Sequence, residues 1–279
     1  LAIHSDKEGN YWIGTRNGGL DKFNYDKKSF TNYAHNPANS NSLINNSILV
    51  IEEDRAGVLW LGTFNSGMNS FDPKTGTFKR YVNNASDPNS LSDNRVYDIL
   101  EDREGFIWIG TYGGGLNKLD KTTGRITAYK HDEKNKTSIS SNSVWTIDED
   151  DSHNLWLGTF GGGLSIFDRT KETFTNFKND PNDPSSLGDD NIIRVFKDSK
   201  NNMWIGTTKG FCRYYRDSKK FTTYREKDGL ANDFVYGILE DDNGNLWLST
   251  NNGLSKFDPQ KETFKNYYYE DGLQGNEFN

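Results

Sequence analysis

Tryptophan recurs in this chain at Trp12, Trp60, Trp108, Trp156, Trp204 and Trp247, at spacings of 48, 48, 48, 48 and 43 residues. Only Trp145 falls outside the register. A fixed period of this length means stacked copies of one supersecondary unit, each unable to bury its apolar face alone. The rest of the unit keeps the same phase. An aspartate stands six residues before each repeated Trp: Asp6, Asp54, Asp102, Asp150, Asp198 and Asp241. Gly-Thr, or Ser249-Thr250 in the last unit, follows each Trp, and a Gly-rich turn follows that. Aromatic residues such as Phe78 and Tyr81 close the unit.

Each unit holds four short apolar runs separated by Gly, Asn, Asp and Pro. In the third unit they are 96–100, 106–111, 115–119 and 125–129. β-branched and aromatic residues between turn signals read as strands, and no stretch sustains a helical period. Four strands per unit of roughly 40–50 residues mark a β-propeller blade. The expected fold is an all-β propeller of four-stranded antiparallel blades, one domain over residues 1–279 with six repeats. It is either a six-bladed ring or part of a seven-bladed propeller. Residues 276–279 could pair beside residues 1–3 and close six blades.

The repeated residues have structural readings. Asp-x-x-Gly joins the first strand to the second. Its carboxylate can accept backbone N–H groups, and its Gly, replaced by Asn154 or Asn201-Asn202 in units four and five, can take positive φ. One carboxylate per turn is too few to hold calcium. Trp packs between blades rather than forming a sugar platform six times over. Thr bonds backbone or the neighbouring blade.

Composition fits this scaffold. Hydrophobic residues are only 33%, but aromatics reach 14%, enough to build a core from short strands. The net charge of −7 disfavours a nucleic-acid partner. No apolar run approaches the roughly 18 residues of a membrane helix. The sequence starts without Met inside a predicted strand and carries no visible signal peptide, so it reads as a fragment. Cys212 is the lone cysteine, and His4, His35, His131 and His153 lack ligand spacing. No metal site and no cofactor are expected.

The segment Val96-Tyr97-Asp98-Ile99-Leu100-Glu101-Asp102, continuing through Trp108-Ile109-Gly110-Thr111, closely resembles the two-component regulator propeller repeat. The resemblance covers essentially the whole chain in six copies. It implies the periplasmic sensor region of a bacterial hybrid two-component histidine kinase, anchored in the inner membrane. In such receptors two seven-bladed propellers often precede an immunoglobulin-like module, a membrane helix and the output domain, a histidine kinase or, in related proteins, a diguanylate cyclase. The signals are typically oligosaccharides. The implied partners are an oligosaccharide or other small ligand and the adjoining propeller and kinase modules. The resemblance leaves room for a homodimer of the parent receptor.

Function is expected where units depart from the repeat. The connections between blades are long at 34–42, 82–90, 130–138 and 178–186, and short at 225–229 and 268–272. They lie at the same end as the turns between second and third strands, which makes that end the candidate ligand face. The first strands add Tyr97, Trp145 and Tyr236, whose rings could stack on sugar faces. They also add Asp98 and Arg194, which could bond hydroxyls or a uronate. The turns contribute Arg16, Asn17, Phe64, Asn65, Tyr112 and Phe160. An aromatic platform with few placed polar groups suits a small ligand, whereas inter-blade packing is the competing reading of the same residues. No catalytic residue is assigned. A propeller-fold carbohydrate-active hydrolase or lyase would need converging carboxylates, and a protein-interaction scaffold would lack a pocket.

Overall fold

A computed structural model describes residues 2–278. Blade 1 comprises β1 (Ala2–Ser5), β2 (Tyr11–Gly14), β3 (Leu20–Asn24) and β4 (Ser29–Tyr33). Blade 2 holds β5 (Ile48–Glu53), β6 (Leu59–Thr63), β7 (Met68–Asp72) and β8 (Thr77–Tyr81). Blade 3 holds β9 (Val96–Glu101), β10 (Ile107–Thr111), β11 (Gly115–Leu119) and β12 (Ile126–Tyr129). Blade 4 holds β13 (Val144–Glu149), β14 (Leu155–Thr159), β15 (Gly163–Asp168) and β16 (Thr173–Phe177). Blade 5 holds β17 (Ile192–Lys197), β18 (Met203–Thr207), β19 (Gly210–Tyr215) and β20 (Lys220–Tyr224). Blade 6 holds β21 (Val235–Glu240), β22 (Leu246–Thr250), β23 (Gly253–Asp258) and β24 (Thr263–Tyr267).

Each blade is an antiparallel sheet with its strands in sequence order, the all-β propeller architecture expected from the repeat. The residues fall into two compact units. The first runs to Lys130 and adds Asn142–Val144; the second contains His131–Ser141 and the chain from Trp145 onward.

In the first unit Trp12 meets Phe71 of the next blade edge-on, at 5.8 Å and 76°. In the second, Trp156 meets Tyr214 at 5.0 Å and 73°, and Trp204 meets Phe257 at 5.6 Å and 74°. Edge-to-face pairing sets the electropositive ring edge against the π face. The core therefore consists of aromatic layers between blades, as the Trp spacing implies. The Gly after each Trp allows close approach. A Cβ on Gly62 would sit 2.7 Å from Cγ1 of Val96 on the next blade. Blade 6 reverses the arrangement across its register pair: Ser249 replaces the Gly, and Gly237 opposite supplies the space.

The aspartate turn works identically in all six blades. Asp102 accepts the N–H groups of Glu104 (2.9 Å) and Phe106 (3.0 Å) on Oδ1, and the indole N–H of Trp108 (2.7 Å) on Oδ2. The Asp–indole bond recurs at 2.7–3.1 Å throughout. One detail differs from the sequence reading. In blade 4 the left-handed position is taken by His153 (φ 64°), and Asn154 instead donates its side-chain amide to Asp150. Asn201 (φ 62°) fills the position in blade 5. The repeated Thr donates to the carbonyl that closes the next turn, as Thr111 does to Gly115 (2.9 Å).

The long connections are ordered. Ser42, Ser90, Ser138 and Ser186 each accept a backbone N–H at the start of their own loop, at 2.9–3.0 Å. Each loop also reaches the fourth strand of the following blade. Phe78 N–H donates to Asn41 Oδ1 (2.7 Å), and the Ile126, Phe174 and Phe221 amides donate to the Asn89, Thr137 and Ser185 carbonyls. The loops thereby cover strand edges that would otherwise expose backbone groups. At the C-terminal end, Phe278 N–H donates to the Thr250 carbonyl (3.1 Å), just as Ile48 donates to Thr15 (2.9 Å). Pairing of residues 276–279 with 1–3 involves Leu1 and Asn279, which lie outside the described residues.

Candidate functional site

A one-residue irregularity shapes the candidate site. In β5, β9, β17 and β21 the pairing with the second strand slips by one position, leaving Leu49, Tyr97, Ile193 and Tyr236 opposite no partner. Such bulges re-aim a side chain. Trp145 holds the same repeat position in β13. The candidate aromatics thus lie where the first strand bends, next to the turn between the second and third strands.

In the first unit, Tyr97 lies against Tyr112, with centroids 5.7 Å apart and planes 31° apart. Burial, and then the neighbouring Tyr112, push the Tyr97 phenol above its ordinary value. Tyr112 is 38% exposed and Phe64 is 51% exposed. Arg16 and Asn17 are exposed in the blade 1 turn. Asn65 accepts from the Ser66 hydroxyl at 3.1 Å. Asp98 is 7% exposed and accepts the Ile99 N–H at 3.0 Å, which places it inside the blade rather than at the rim.

In the second unit, Trp145 stacks on Phe160 at 4.7 Å and 18°. Tyr236 stacks on Phe234 at 4.3 Å and donates its hydroxyl to Asn251 Oδ1 at 2.8 Å. Arg194 is half-buried and acts electrostatically on Asp148. Burial raises the Asp148 carboxyl even though it accepts the Lys197 and Glu149 amides.

Sequence reasoning missed Asp93, Arg95, Phe234 and Asn251. The signal was available as an offset. Positions 95 and 234 both stand two residues before a bulged tyrosine.

The four histidines serve the scaffold. His35 and His131 bond through Nδ1 to the Leu43 and Ile139 carbonyls, each at 2.7 Å. Asn83 and Asn179 make the same bond, to Leu91 and Leu187, from the same repeat position. His4 bonds Glu53 at 3.1 Å, and His153 sits 3.4 Å from Glu149. Cys212 is buried and its thiol pKa is pushed up by burial. It occupies the position from which Asn69, Asn117, Ser165 and Ser255 accept a backbone amide of the preceding loop.

A β-propeller with Asp–Trp locks in every blade and its variation gathered at one end is the class that this geometry defines. Within that class, the family described as "Two component regulator propeller" matches at residues 42–65, 90–113, 138–161, 186–209 and 229–252. The chain carries five copies of this repeat. The extracellular domain described for the hybrid two component system BT3049 of B. thetaiotaomicron is similar in structure. Its TM-score is 0.82 at 26% identity, over 99% of this chain and 36% of that one. The extracellular domain of BT4673 from the same organism gives 0.60 at 22% identity, over 95% of this chain and 42% of that one. Virginiamycin B lyase from Staphylococcus aureus, in a catalytically inactive histidine-to-alanine form with quinupristin, gives 0.72 at 17% identity, over 98% and 84%. No curated protein matches the sequence significantly. The chain spans well under half the length of the two component system domains.

Proposed function

We propose that this chain is the ligand-sensing propeller of an extracytoplasmic two-component receptor, that its ligand is an oligosaccharide, and that occupancy biases a kinase elsewhere in the parent protein. The likeness to extracellular domains of two component systems supports the setting. The aromatic pairs Trp145–Phe160 and Tyr97–Tyr112 carry the ligand reading. Tyr97 sits on a bulge and Trp145 at the same repeat position, and Phe160 and Tyr112 are each 38% exposed. Apolar ring faces beside polar groups suit the apolar faces and hydroxyls of a pyranose. The parent receptor is placed in the periplasm, anchored in the inner membrane, with adjoining propeller and kinase modules as partners. A ligand that binds one arrangement of those modules more tightly shifts their populations, and no other coupling is required.

The lyase likeness, at 17% identity, carries the fold alone. All four histidines here are engaged in loop or turn bonding, which counts against a histidine-dependent lyase reaction. The test is calorimetry and thermal shift against a panel of plant and host oligosaccharides. Saturable binding lost in Trp145→Ala and Arg194→Ala supports the reading. Glycan turnover would replace it with the enzyme reading. Binding to another protein through the same rim, with no glycan bound, would replace it with the scaffold reading.

A further inference from the structure

Blade 3 carries an arrangement at the rim that no other blade repeats. Arg95 and Asp93 form a planar fork, with Nε to Oδ1 at 2.9 Å and Nη2 to Oδ2 at 2.6 Å. The guanidinium lies over the Tyr112 ring, 4.8 Å from its centroid, and Tyr112 leans on Tyr97. The arginine side chain is 42% exposed and the aspartate 18%.

The turn does not need this fork. Its backbone requirement is a side-chain oxygen that accepts the amide two residues on. Asn45 does this for Ser47 (2.8 Å) and Asn232 for Phe234 (3.0 Å), as Asp93 does for Arg95 (2.8 Å). Blade 4 places Ser141 and Ser143 at the same positions. The carboxylate charge and the guanidinium are therefore additions to a turn that forms without them.

The geometry points to a subsite for adjacent hydroxyls of an uncharged sugar ring at the Asp93–Arg95 fork. This rests on the oligosaccharide reading above and makes Arg95 and Asp93 its specificity-determining residues. Two features select the ligand class. The pair is internally neutralised, so within the fork a uronate or sulfate finds no uncompensated cation, and the nearby Lys130 acts on Asp93 itself. Its edge still offers both bond polarities, because Arg95 Nη1 has no hydrogen-bond partner among the described residues and Asp93 keeps unused lone pairs. A vicinal diol can accept from one group and donate to the other. Preorganisation by the ion pair and by the Tyr112 face reduces the side-chain ordering that binding would otherwise require.

The experiment is calorimetry with size-matched neutral oligosaccharides (xylo-, gluco- and manno-) and with oligogalacturonates. The wild-type chain is expected to favour a neutral series. Arg95→Gln should weaken that binding about tenfold to a hundredfold, the worth of one charge-assisted hydrogen bond. Asp93→Asn, which leaves Arg95 uncompensated, should move the neutral-to-uronate preference at least about tenfold toward uronate. Far-UV circular dichroism checks each fold. If Arg95→Gln does not fold, Arg95→Lys keeps the charge without the fork and should show the same loss. A wild-type preference for uronate overturns the inference. Unchanged neutral binding in Arg95→Gln, with loss in Trp145→Ala, overturns the inference alone. If the wild type binds neither series, the oligosaccharide reading falls and takes the inference with it.

Discussion

The Asp–Trp lock gives a graded prediction, because one motif occurs in different surroundings. Asp150 is 1% exposed and accepts four donors besides the Asn154 side-chain amide. These are the amides of Ser152 (2.9 Å) and Asn154 (3.0 Å), the Trp156 indole (2.9 Å) and Nη1 of Arg216 from blade 5 (2.8 Å). In Asp150→Ala the buried indole N–H loses its only acceptor shown here, at about 1–3 kcal/mol. The turn amides lose a cap-like acceptor, at about 1 kcal/mol. Arg216 is 37% exposed and rehydrates, so its bond adds at most about 1 kcal/mol. The expected loss is roughly 2–5 kcal/mol, a large part of the stability of an ordinary domain. Asp6 makes the same indole bond (2.8 Å) and the same turn bonds, but it is half-buried and pairs with no arginine or lysine. Trp12 is buried but Asp6 itself is partly open to solvent, so water can take the place of the removed carboxylate, and Asp6→Ala should cost only about 1–2 kcal/mol. Urea unfolding followed by far-UV circular dichroism, comparing midpoints at constant slope, measures both. An Asp6→Ala loss equal to or larger than that of Asp150→Ala would refute the argument from burial and seam pairing.

Three further outcomes follow from the seams. Gly237→Val should crowd Ser249, whose Oγ lies 3.0 Å from the added Cβ, and Ser249→Gly should restore most of the lost melting temperature; no rescue would sink the size-swap reading. Lys197 donates to Asp151 at 2.8 Å where blade 3 has Glu101 paired with Arg55 at 3.1 Å, an inverted ion pair. Lys197→Glu should therefore destabilise and Lys197→Glu with Asp151→Arg should recover, as read by a double-mutant cycle in melting temperature; additive losses would refute the pairing. For Asp6, Asp54 and Asp150, burial works to raise the pKa, but bonds from the indoles, turn amides and basic side chains prevail and hold it below the ordinary 3.8. Their contribution is complete above the unfolded value and is lost as pH falls through the lower folded values. Melting temperature should be flat from about pH 7 to 5 and drop below about pH 4; a drop centred near pH 6 would refute the assignment to these aspartates.

Much of the fold can be read along the chain because its causes are local and repeat. The third unit shows this: runs at 96–100, 106–111, 115–119 and 125–129 become strands at Val96–Glu101, Ile107–Thr111, Gly115–Leu119 and Ile126–Tyr129. Trp, Asp and Thr each keep the role their spacing suggests. The left-handed residue of blade 4 is His153 and not Asn154: Asn is the commoner residue at positive φ, but the Asp-x-x-Gly spacing counted from Asp150 already falls on 153. The bulge at Tyr97 is not legible in the sequence, since it lies one residue inside the start of β9 and leaves only Val96 beyond it to break the alternation. The ordering of the long loops was hidden for another reason. Polar Asn, Pro and Ser suggest solvent, while the bonds that order them run to a blade roughly 40 residues further on.

The polar groups at the two ends of the blades are used differently, and this supports the proposed placement of the ligand site. At the aspartate-turn end, the repeated glutamates accept amides of the preceding blade: Glu53 from Lys7, Glu101 from Arg55 and Glu240 from Ser199, at 2.7–3.2 Å. Lys121 reaches Asp54 and Glu101, and Arg216 reaches Asp150. Those groups join one blade to the next, and a ligand competing for them would loosen the seams. At the opposite end the seams are closed by backbone and small side chains, as in Ile48 N–H to the Thr15 carbonyl (2.9 Å). Among the described side-chain bonds that join one blade to the next, none runs through Phe160, Asp93 or Arg95. A ligand can engage them without a stability cost to the scaffold. Substitutions at Arg95 or Phe160 should accordingly alter binding far more than melting temperature, whereas those at Glu101 or Asp150 should do the reverse.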